Sequence, residues 1–429
     1  MISGSIVAIL LGVLLGCLVA GVPIAFSLGL AGAATIASAS GLPFLVQIPL
    51  TLQRALADPV ILAVPMYILM GEILYRGKVG QQLFDVANAW VGRLRGGTGV
   101  SAVTAFTFFA AIVGSSMASV LTIGRIAIPE MEKAGYPKRL SYGLSVVGGS
   151  LGILIPPSIP LIIYASLASV SPAQLFLAGL LPGLLVAALL SVWAMLAAPP
   201  PNTIETAPWS GKHALKVTLR ALPDLALPVV VLGGIYLGIY TPTEAAGIGV
   251  VLALLLTVVL RRSLSLRDLP EVMISATRHS AGLLAIMVGA LVLGSALTLI
   301  GLPQFLAKQV MEAGVAPWVV LLIMNLAWVV LGCFLEVISI ILITVPVFVP
   351  VAVALGFDPL WFGILMVINM ELAVITPPLG MNLFALKAIL PEERIETIIR
   401  SALPSLLIVL TVLTLVWFFP EIALVLTRL

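Results

Sequence analysis

The sequence predicts an all-α, polytopic membrane protein built from two related halves, each carrying a helical hairpin that enters and leaves on one side and a helix broken in mid-membrane. Three observations predict it. The chain has 429 residues, of which 61% are hydrophobic and 9% charged, with mean hydropathy +1.23; soluble domains of this length do not have that composition. No Asp, Glu, Lys or Arg precedes Arg54, and none occurs from Gly96 to Gly124, Leu140 to Ile204, Ser280 to Ala307 or Ala313 to Leu335. A helix crosses the hydrocarbon in about 20 residues, so the longest of these runs holds more than one crossing. The third observation is a repeat.

Pro129, then Gly135 followed by Tyr136, then Pro156-Pro157, recur as Pro350, Gly356 followed by Phe357, and Pro377-Pro378. One shift of 221 residues relates all five positions. Two successive prolines deprive the carbonyls four positions earlier of their helix partners. These are Gly152 and Ile153 in the first half, Ala373 and Val374 in the second. In hydrocarbon such carbonyls are tolerated only where protein, water or an ion satisfies them. Paired broken helices at corresponding positions point to a transporter's midplane binding site; two Pro-kinked helices with a purely structural role are the alternative.

Taken in order, Met1 to about Ala20 and Pro23 to about Ser40 read as spans, with Leu42 to Leu56 an apolar segment lying along the surface. Leu14-Leu15-Gly16-Cys17 is a faint lipoprotein cleavage box, but no Lys or Arg precedes it, so a first transmembrane helix is expected instead. Val60 to Tyr75 spans, and Gln81 to Arg95 is amphipathic and interfacial. Thr98 to Glu132 is too long for one span and too short for two, and is interrupted at Gly114-Ser115-Ser116 between basic bases at Arg93, Arg95 and Lys133, Lys138, Arg139. A re-entrant hairpin at about 98–132 fits that pattern. The broken helix covers 140–170, and Gln174 to Leu196 is a further span. The first repeat is thus 1–198, and a polar linker at 199–221 (Pro199-Pro200-Pro201, Lys212, Lys216, Arg220) separates it from the second, 222–429.

The second repeat follows the same plan. Spans are expected at Leu222 to Tyr240, Glu244 to Leu260 and Arg278 to Ile300, then an amphipathic Leu302 to Ala313. A second hairpin at about 317–353 is interrupted around Gly332 and Glu336; the second broken helix covers 359–390, and Ala402 to Phe419 closes the chain. Basic residues gather at 76–95, 133–139, 212–220, 261–267 and 387–400, whereas the turns at 168–173, 240–244 and 354–359 contain none. With the basic clusters in the cytoplasm, every span alternates if both hairpins are re-entrant. The halves are then inverted and both termini lie outside.

Glu336 and Glu371 are lone acids in apolar segments, functional by default in a membrane; an interhelical hydrogen bond is the alternative role for each. The 221-residue shift sets Ser115 opposite Glu336. Ser115, Ser116 and Ser119 offer hydroxyls at the first tip, though serine and glycine also serve close helix packing. Thr376, Gly380 and Asn382 flank the second Pro-Pro and complete an oxygen-rich set. Carbonyls and hydroxyls without several carboxylates suit a monovalent hard cation such as sodium. Half-helices starting at Ser158 and Leu379 point positive ends inward, which favours an anion. Cys17 and Cys333 stand apart, and His213 and His279 lie near polar loops; neither pair suggests a metal centre or disulfide. Neither G-x-x-x-x-G-K-[ST] nor H-E-x-x-H occurs, and no basic nucleic-acid patch.

With these residues in place, the sequence resembles the large membrane subunit of the tripartite ATP-independent periplasmic (TRAP) transporters, within the ion-transporter superfamily. The resemblance rests on Gly114-Ser115-Ser116-Met117-Ala118-Ser119 leading to Ile128-Pro129-Glu130-Met131 and Gly135-Tyr136, on Leu151 to Ser158, and on Ala178-Gly179-Leu180-Leu181-Pro182-Gly183. Tyr240-Thr241-Pro242-Thr243-Glu244-Ala245 and Ile375 to Asn382 extend it over nearly the whole chain.

That resemblance implies a sodium-driven importer of a small organic acid (a C4-dicarboxylate, sialic acid or a similar carboxylate) in a bacterial inner membrane, moving as an elevator. It implies two partners: a periplasmic substrate-binding protein, and a small four-helix membrane subunit that neither end of this chain supplies. The implied site comprises Gly114, Ser115, Ser116, Ser119, Gly152, Pro156, Pro157 and Ser158 with Gly332, Glu336, Thr376, Pro377, Pro378, Gly380 and Asn382. Sodium, as coupling ion and with no other cofactor, is expected at Ser116, Ser119, Gly152 and Pro156, and again at Gly332, Thr376 and Gly380. Glu336 stands where the family more often has Asp. A stand-alone sodium–carboxylate symporter keeps the same fold without partners. A channel fits two opposed broken helices less well, and an intramembrane enzyme lacks a catalytic pair.

Overall fold

The computed structural model describes residues 4–199, 210–378 and 380–428, and every regular element among them is helical. In the first half these are α1 (Gly4–Val19), α2 (Ile24–Ser40), a 3-10 turn, α3 (Gln47–Leu56), α4 (Pro59–Arg76), α5 (Val79–Val91) and α6 (Gly97–Val113). After the first tip come α7 (Ser116–Ser119), a π turn (Val120–Gly124) and α8 (Arg125–Lys133), then α9 (Lys138–Leu154), α10 (Ile159–Ala168) and α11 (Pro172–Leu196). The second half has α12 (Gly211–Tyr236), α13 (Pro242–Leu254) ending in a π turn, α14 (Leu269–Leu299), α15 (Leu302–Glu312), α16 (Pro317–Gly332) and α17 (Val337–Ala354). It closes with α18 (Pro359–Ile375), α19 (Met381–Ile389), α20 (Ile395–Phe418) and the short α21 (Glu421–Leu424). Seven of the described helical segments are long and apolar enough to cross a membrane.

The helix starts follow from local chemistry. Asp58-Pro59, Ser171-Pro172, Thr241-Pro242 and Asp358-Pro359 each set a capping oxygen before a proline. The oxygen accepts an otherwise orphaned N–H, and proline supplies a pre-set φ where no N–H is needed. Asp58 accepts from Val60 N at 2.9 Å and Asp358 from Leu360 N at 2.8 Å. Thr241 and Glu244 form a reciprocal capping box. Beside it the Thr243 hydroxyl donates to Pro59 O at 2.6 Å and the Tyr67 hydroxyl to Pro242 O at 3.1 Å, so the start of α13 is fastened to α4.

The proline register continues into the helix ends. Helix α9 runs 138–154 and α18 runs 359–375; the arm of α7, π turn and α8 runs 116–133 and α17 runs 337–354, all displaced by 221 residues. Packing repeats with the halves exchanged: α2 lies on α14 and α13 on α4, α20 on α9 and α11 on α18. Beyond each break the chain crosses to the other half's hairpin, α10 packing on α17 and α19 on α7 and its π turn. Where α2 meets α14 the backbones themselves touch, because a Cβ on Gly289 would collide with Ala25 O.

The two broken helices are the centre. Every residue from Leu140 to Leu154 and from Trp361 to Ile375 is buried. A helix apolar all round, as these are, packs on every side.

Some bounds differ from expectation. Helix α12 begins at Gly211 rather than Leu222, because Ser210 caps it and Leu215, Leu219 and Leu222 recur at helical spacing; residues 200–209 of the linker lie outside the described residues. Helix α14 begins at Leu269 and α20 at Ile395, their charged first turns being helical extensions of the apolar spans. The first half divides the counterpart of α14 into α3 and α4 at Asp58-Pro59, whereas the second has Ser280 there and runs on unbroken. After α20 the chain turns back, and α21 packs on α11.

Glu393, in the turn between α19 and α20, accepts a hydrogen bond from the Lys138 ammonium at the start of α9. That bond, with the charge beside it, holds the Glu393 carboxyl below the usual carboxylate range. A carboxyl held low stabilises the fold above its unfolded value, and that contribution disappears as pH falls through the folded one. Lys138→Gln should therefore lower the thermal midpoint at neutral pH, and the difference from the parent should close as pH falls below about 4.5. Thermal unfolding in detergent across pH measures this; a difference that is constant with pH refutes the link.

Candidate functional site

Both expected breaks are present, and both Pro-Pro peptide bonds are cis. At the first, α9 stops at Leu154, Ile155 is extended, and α10 resumes at Ile159 with Ser158 as its cap. The Ser158 hydroxyl accepts from Leu161 N at 3.4 Å and donates to Ile153 O at 2.5 Å. One of the two carbonyls stripped by the prolines thus acquires a partner from the next helix start. Gly152 O receives nothing from Pro156, which has no N–H.

The first hairpin tip is seated on this break by backbone contact. Gly114 ends α6 at φ +64°, the left-handed region that glycine alone enters freely, and a Cβ there would collide with Pro157 O. A Cβ on Gly152 would lie 2.8 Å from the Ser115 carbonyl and 3.0 Å from Ser116 N. Beyond the tip Ser115 caps α7, accepting from Ala118 N at 3.5 Å, and the Ser119 hydroxyl donates to Ser115 O at 2.8 Å. Ser116, Ser119, Gly152, Pro156, Pro157 and Ser158 are all buried. The structure therefore collects the first group of expected residues around one junction of tip and break.

The second junction is looser. Helix α18 stops at Ile375 and Thr376 is extended; its hydroxyl donates to Leu372 O at 2.6 Å and its N–H to Ala373 O at 3.3 Å. Gly380 N donates to Thr376 O at 3.0 Å and caps α19, which starts at Met381. The expected start at Leu379 lies outside the described residues. Gly332, at the second tip, rests against Ala373, where a Cβ would collide. Thr376 and Pro377 are half-buried and Pro378 is exposed, so this junction opens to the surroundings where the first is closed.

Three acidic or amide side chains have surroundings that the sequence did not specify. Asn382, expected beside Thr376 and Gly380, donates instead to Val146 O on α9 at 3.0 Å, and its buried Oδ1 has no partner among the described residues. It ties the second broken helix to the first. Glu336 caps α17 by position and is exposed, with no capping hydrogen bond from its side chain, where Ser115 makes one at the corresponding place. Glu371 is fully buried with neither carboxylate oxygen bonded among the described residues, so the interhelical bond offered as its alternative role is not found. That role belongs to Asn369, whose amide donates to Asn325 Oδ1 at 2.6 Å and joins α18 to α16. Two lone amides in apolar helices were the available signal for it, but no spacing rule pairs them across 44 residues. The π turn after the first tip had no sequence signal.

Chemically, each junction presents backbone oxygens, hydroxyls and a helix start, and among the described residues no cluster of thiols or imidazoles. Comparison with known proteins agrees with a transport architecture. Residues 11–422 match the family described as "Tripartite ATP-independent periplasmic transporter, DctM component". The C4-dicarboxylate TRAP transporter large permease protein DctM of Pseudomonas aeruginosa is 39% identical over 401 residues, covering 93% of each chain. The sialic acid TRAP transporter large permease protein SiaM of Vibrio cholerae is 32% identical over 417 residues, 97% of each. Among solved structures, the YdaH transporter of Alcanivorax borkumensis has a similar fold, with TM-score 0.61 at 18% identity over 92% of this chain and 89% of that one.

The tip-to-break contact predicts a measurable cost. Gly152→Ala places a Cβ 2.8 Å from the Ser115 backbone, whereas at Gly16 a Cβ meets nothing within 4 Å. Gly152→Ala should destabilise by about 1–3 kcal/mol through overpacking, and Gly16→Ala by much less. Equal thermal shifts for the two would show that the tip is not seated there.

Proposed function

The chain belongs to the DctM-component family of tripartite ATP-independent periplasmic transporters, and from that premise we propose that it is the permease through which a sodium gradient drives import of a small organic acid anion. It is a multi-pass membrane protein and a transporter component, not an enzyme. The observation that carries the proposal is the pair of helix breaks at one offset, each facing a hairpin tip across carbonyls that prolines have deprived of helical partners.

Oxygen donors without an acid cluster at the first junction suit a dehydrated monovalent cation. Ser116, Ser119, Gly152 and Pro156 would hold one sodium, and Gly332, Thr376 and Gly380 a second. The helix starts at Ser158 and Gly380 each place a positive end at their own break, which would favour a carboxylate. A C4-dicarboxylate, sialic acid or a similar small acid meets that requirement, as the names of relatives suggest. Exposed Glu336 at the more open second junction would meet the cation before the site closes.

The mechanism proposed is elevator-type alternating access. The hairpins and broken helices interlock across the two halves, through α10 on α17 and α19 on α7, and so can travel as one body. Helices α2, α4, α13 and α14 form the mutually packed remainder against which it would slide. A periplasmic binding protein would deliver the substrate, and a small four-helix membrane subunit would complete the assembly in the bacterial inner membrane. Placing the basic clusters inside makes both termini periplasmic.

Reconstitution tests this. Uptake into vesicles should require an inward sodium gradient, the binding protein and the small subunit together; sodium-driven uptake by this chain alone would identify a stand-alone symporter. Replacing Pro156 and Pro157 with Ala should restore the helix and reduce sodium-dependent uptake to background while the protein still folds. Unchanged uptake would remove the break from the mechanism.

A further inference from the structure

Three basic clusters that lie far apart in sequence converge on one cavity. Arg93 follows α5, Arg220 is in α12 and Arg261 follows the π turn after α13, and together they line a polar space of about 830 Å³. The cavity lies away from both helix breaks. Asn88 and His213 also face it, as does the carboxylate of Asp85, which accepts from Gln81 at 2.8 Å. Arg261 is committed: it pairs with buried Asp224 and donates to Arg220 O at 2.8 Å. Arg93 and Arg220 have no acidic partner among the described residues and are exposed.

Two observations set this cavity at the membrane surface. Trp90, half-exposed at the end of α5, donates from its indole to the Thr218 hydroxyl at 2.9 Å, and tryptophan collects at the headgroup level. Arg220 also borders a second, smaller groove of about 450 Å³ made by Leu215 and Leu219 with Lys212 and Lys216. Leu215, Leu219 and Leu222 are exposed. A polar, basic chamber bordered through Arg220 by an apolar strip of α12 fits a molecule with an anionic head and a hydrocarbon tail, and a free anion would leave the leucines uncovered.

We infer that the cavity between α5 and α12 binds an anionic phospholipid, its phosphate held by Arg93 and Arg220 and an acyl chain laid along Leu215 and Leu219. Basic pockets beside cytoplasmic helix ends recognise such headgroups in membrane proteins generally. The occupant is committed by charge and by the adjoining leucines; the site carries neither sodium nor substrate and stands apart from the transport reading.

The test uses the full chain in detergent, titrated with phosphatidylglycerol or phosphatidylcholine and followed by native mass spectrometry. Phosphatidylglycerol should be retained preferentially, and the double variant Arg93→Gln, Arg220→Gln should weaken its retention about fivefold per charge, roughly twenty-fivefold in all. Both side chains are exposed and have no acidic partner among the described residues, so the variant should keep its thermal midpoint; Arg93→Lys, Arg220→Lys should keep most of the retention. Equal retention of both lipids, unchanged binding in the double Gln variant, or displacement of the lipid by millimolar inorganic phosphate would each overturn the assignment.

Discussion

A carbonyl without a hydrogen-bond donor in an apolar interior is the constraint on which this structure turns. Two prolines in succession create that condition in α9 and again in α18, and neither place can relax into lipid, because both helices are buried along their whole apolar length. The surroundings respond differently at the two places. At the first, Ser158 reaches back to Ile153 and the Gly114–Ser116 tip closes over what is left. At the second, Gly380 N donates to Thr376 O, Thr376 N donates back to Ala373 O, and the junction stays half open. Related backbones thus carry unequal chemistry, with a capping serine at one tip and an exposed glutamate at the corresponding position of the other.

Exchange between halves makes the pair a single centre. Each chain segment leaving a break packs on the opposite half's hairpin, and Asn382 bonds across to α9, so neither junction can move far without the other. The outer helices pair by the same exchange, α2 with α14 and α4 with α13. A two-fold relation of this kind lets one side's arrangement be adopted by the other, which is the geometric requirement of access that alternates between faces. The basic chamber between α5 and α12 is built by helices that also pack on α6 and α13.

Most of the element plan was legible from residues alone, for identifiable reasons. Hydrocarbon demands uninterrupted apolar runs, so charge-free stretches marked the spans. Proline cannot donate, so Pro156-Pro157 and Pro377-Pro378 marked the breaks, and Gly114 and Gly332 ended the first arms of the hairpins. Helix starts within charged stretches were less visible. Gly211, Leu269 and Ile395 open their helices in polar surroundings, where hydropathy falls although the backbone continues helical.

Side-chain partnership was not legible. Asn382 and Thr376 are six residues apart, yet one reaches the other half of the protein and the other bonds within its own helix. An interhelical bond was the alternative role for Glu371, which has no hydrogen-bond partner among the described residues, while Asn325 and Asn369 do that joining. The sequence by itself determined the class of protein, the duplication and the places where the backbone must break, because those depend on hydropathy and on a missing N–H, both properties of single residues. Which oxygens meet at each break, which junction is closed and which basic clusters share a cavity were decided only by tertiary structure, since they depend on distances between segments up to 236 residues apart.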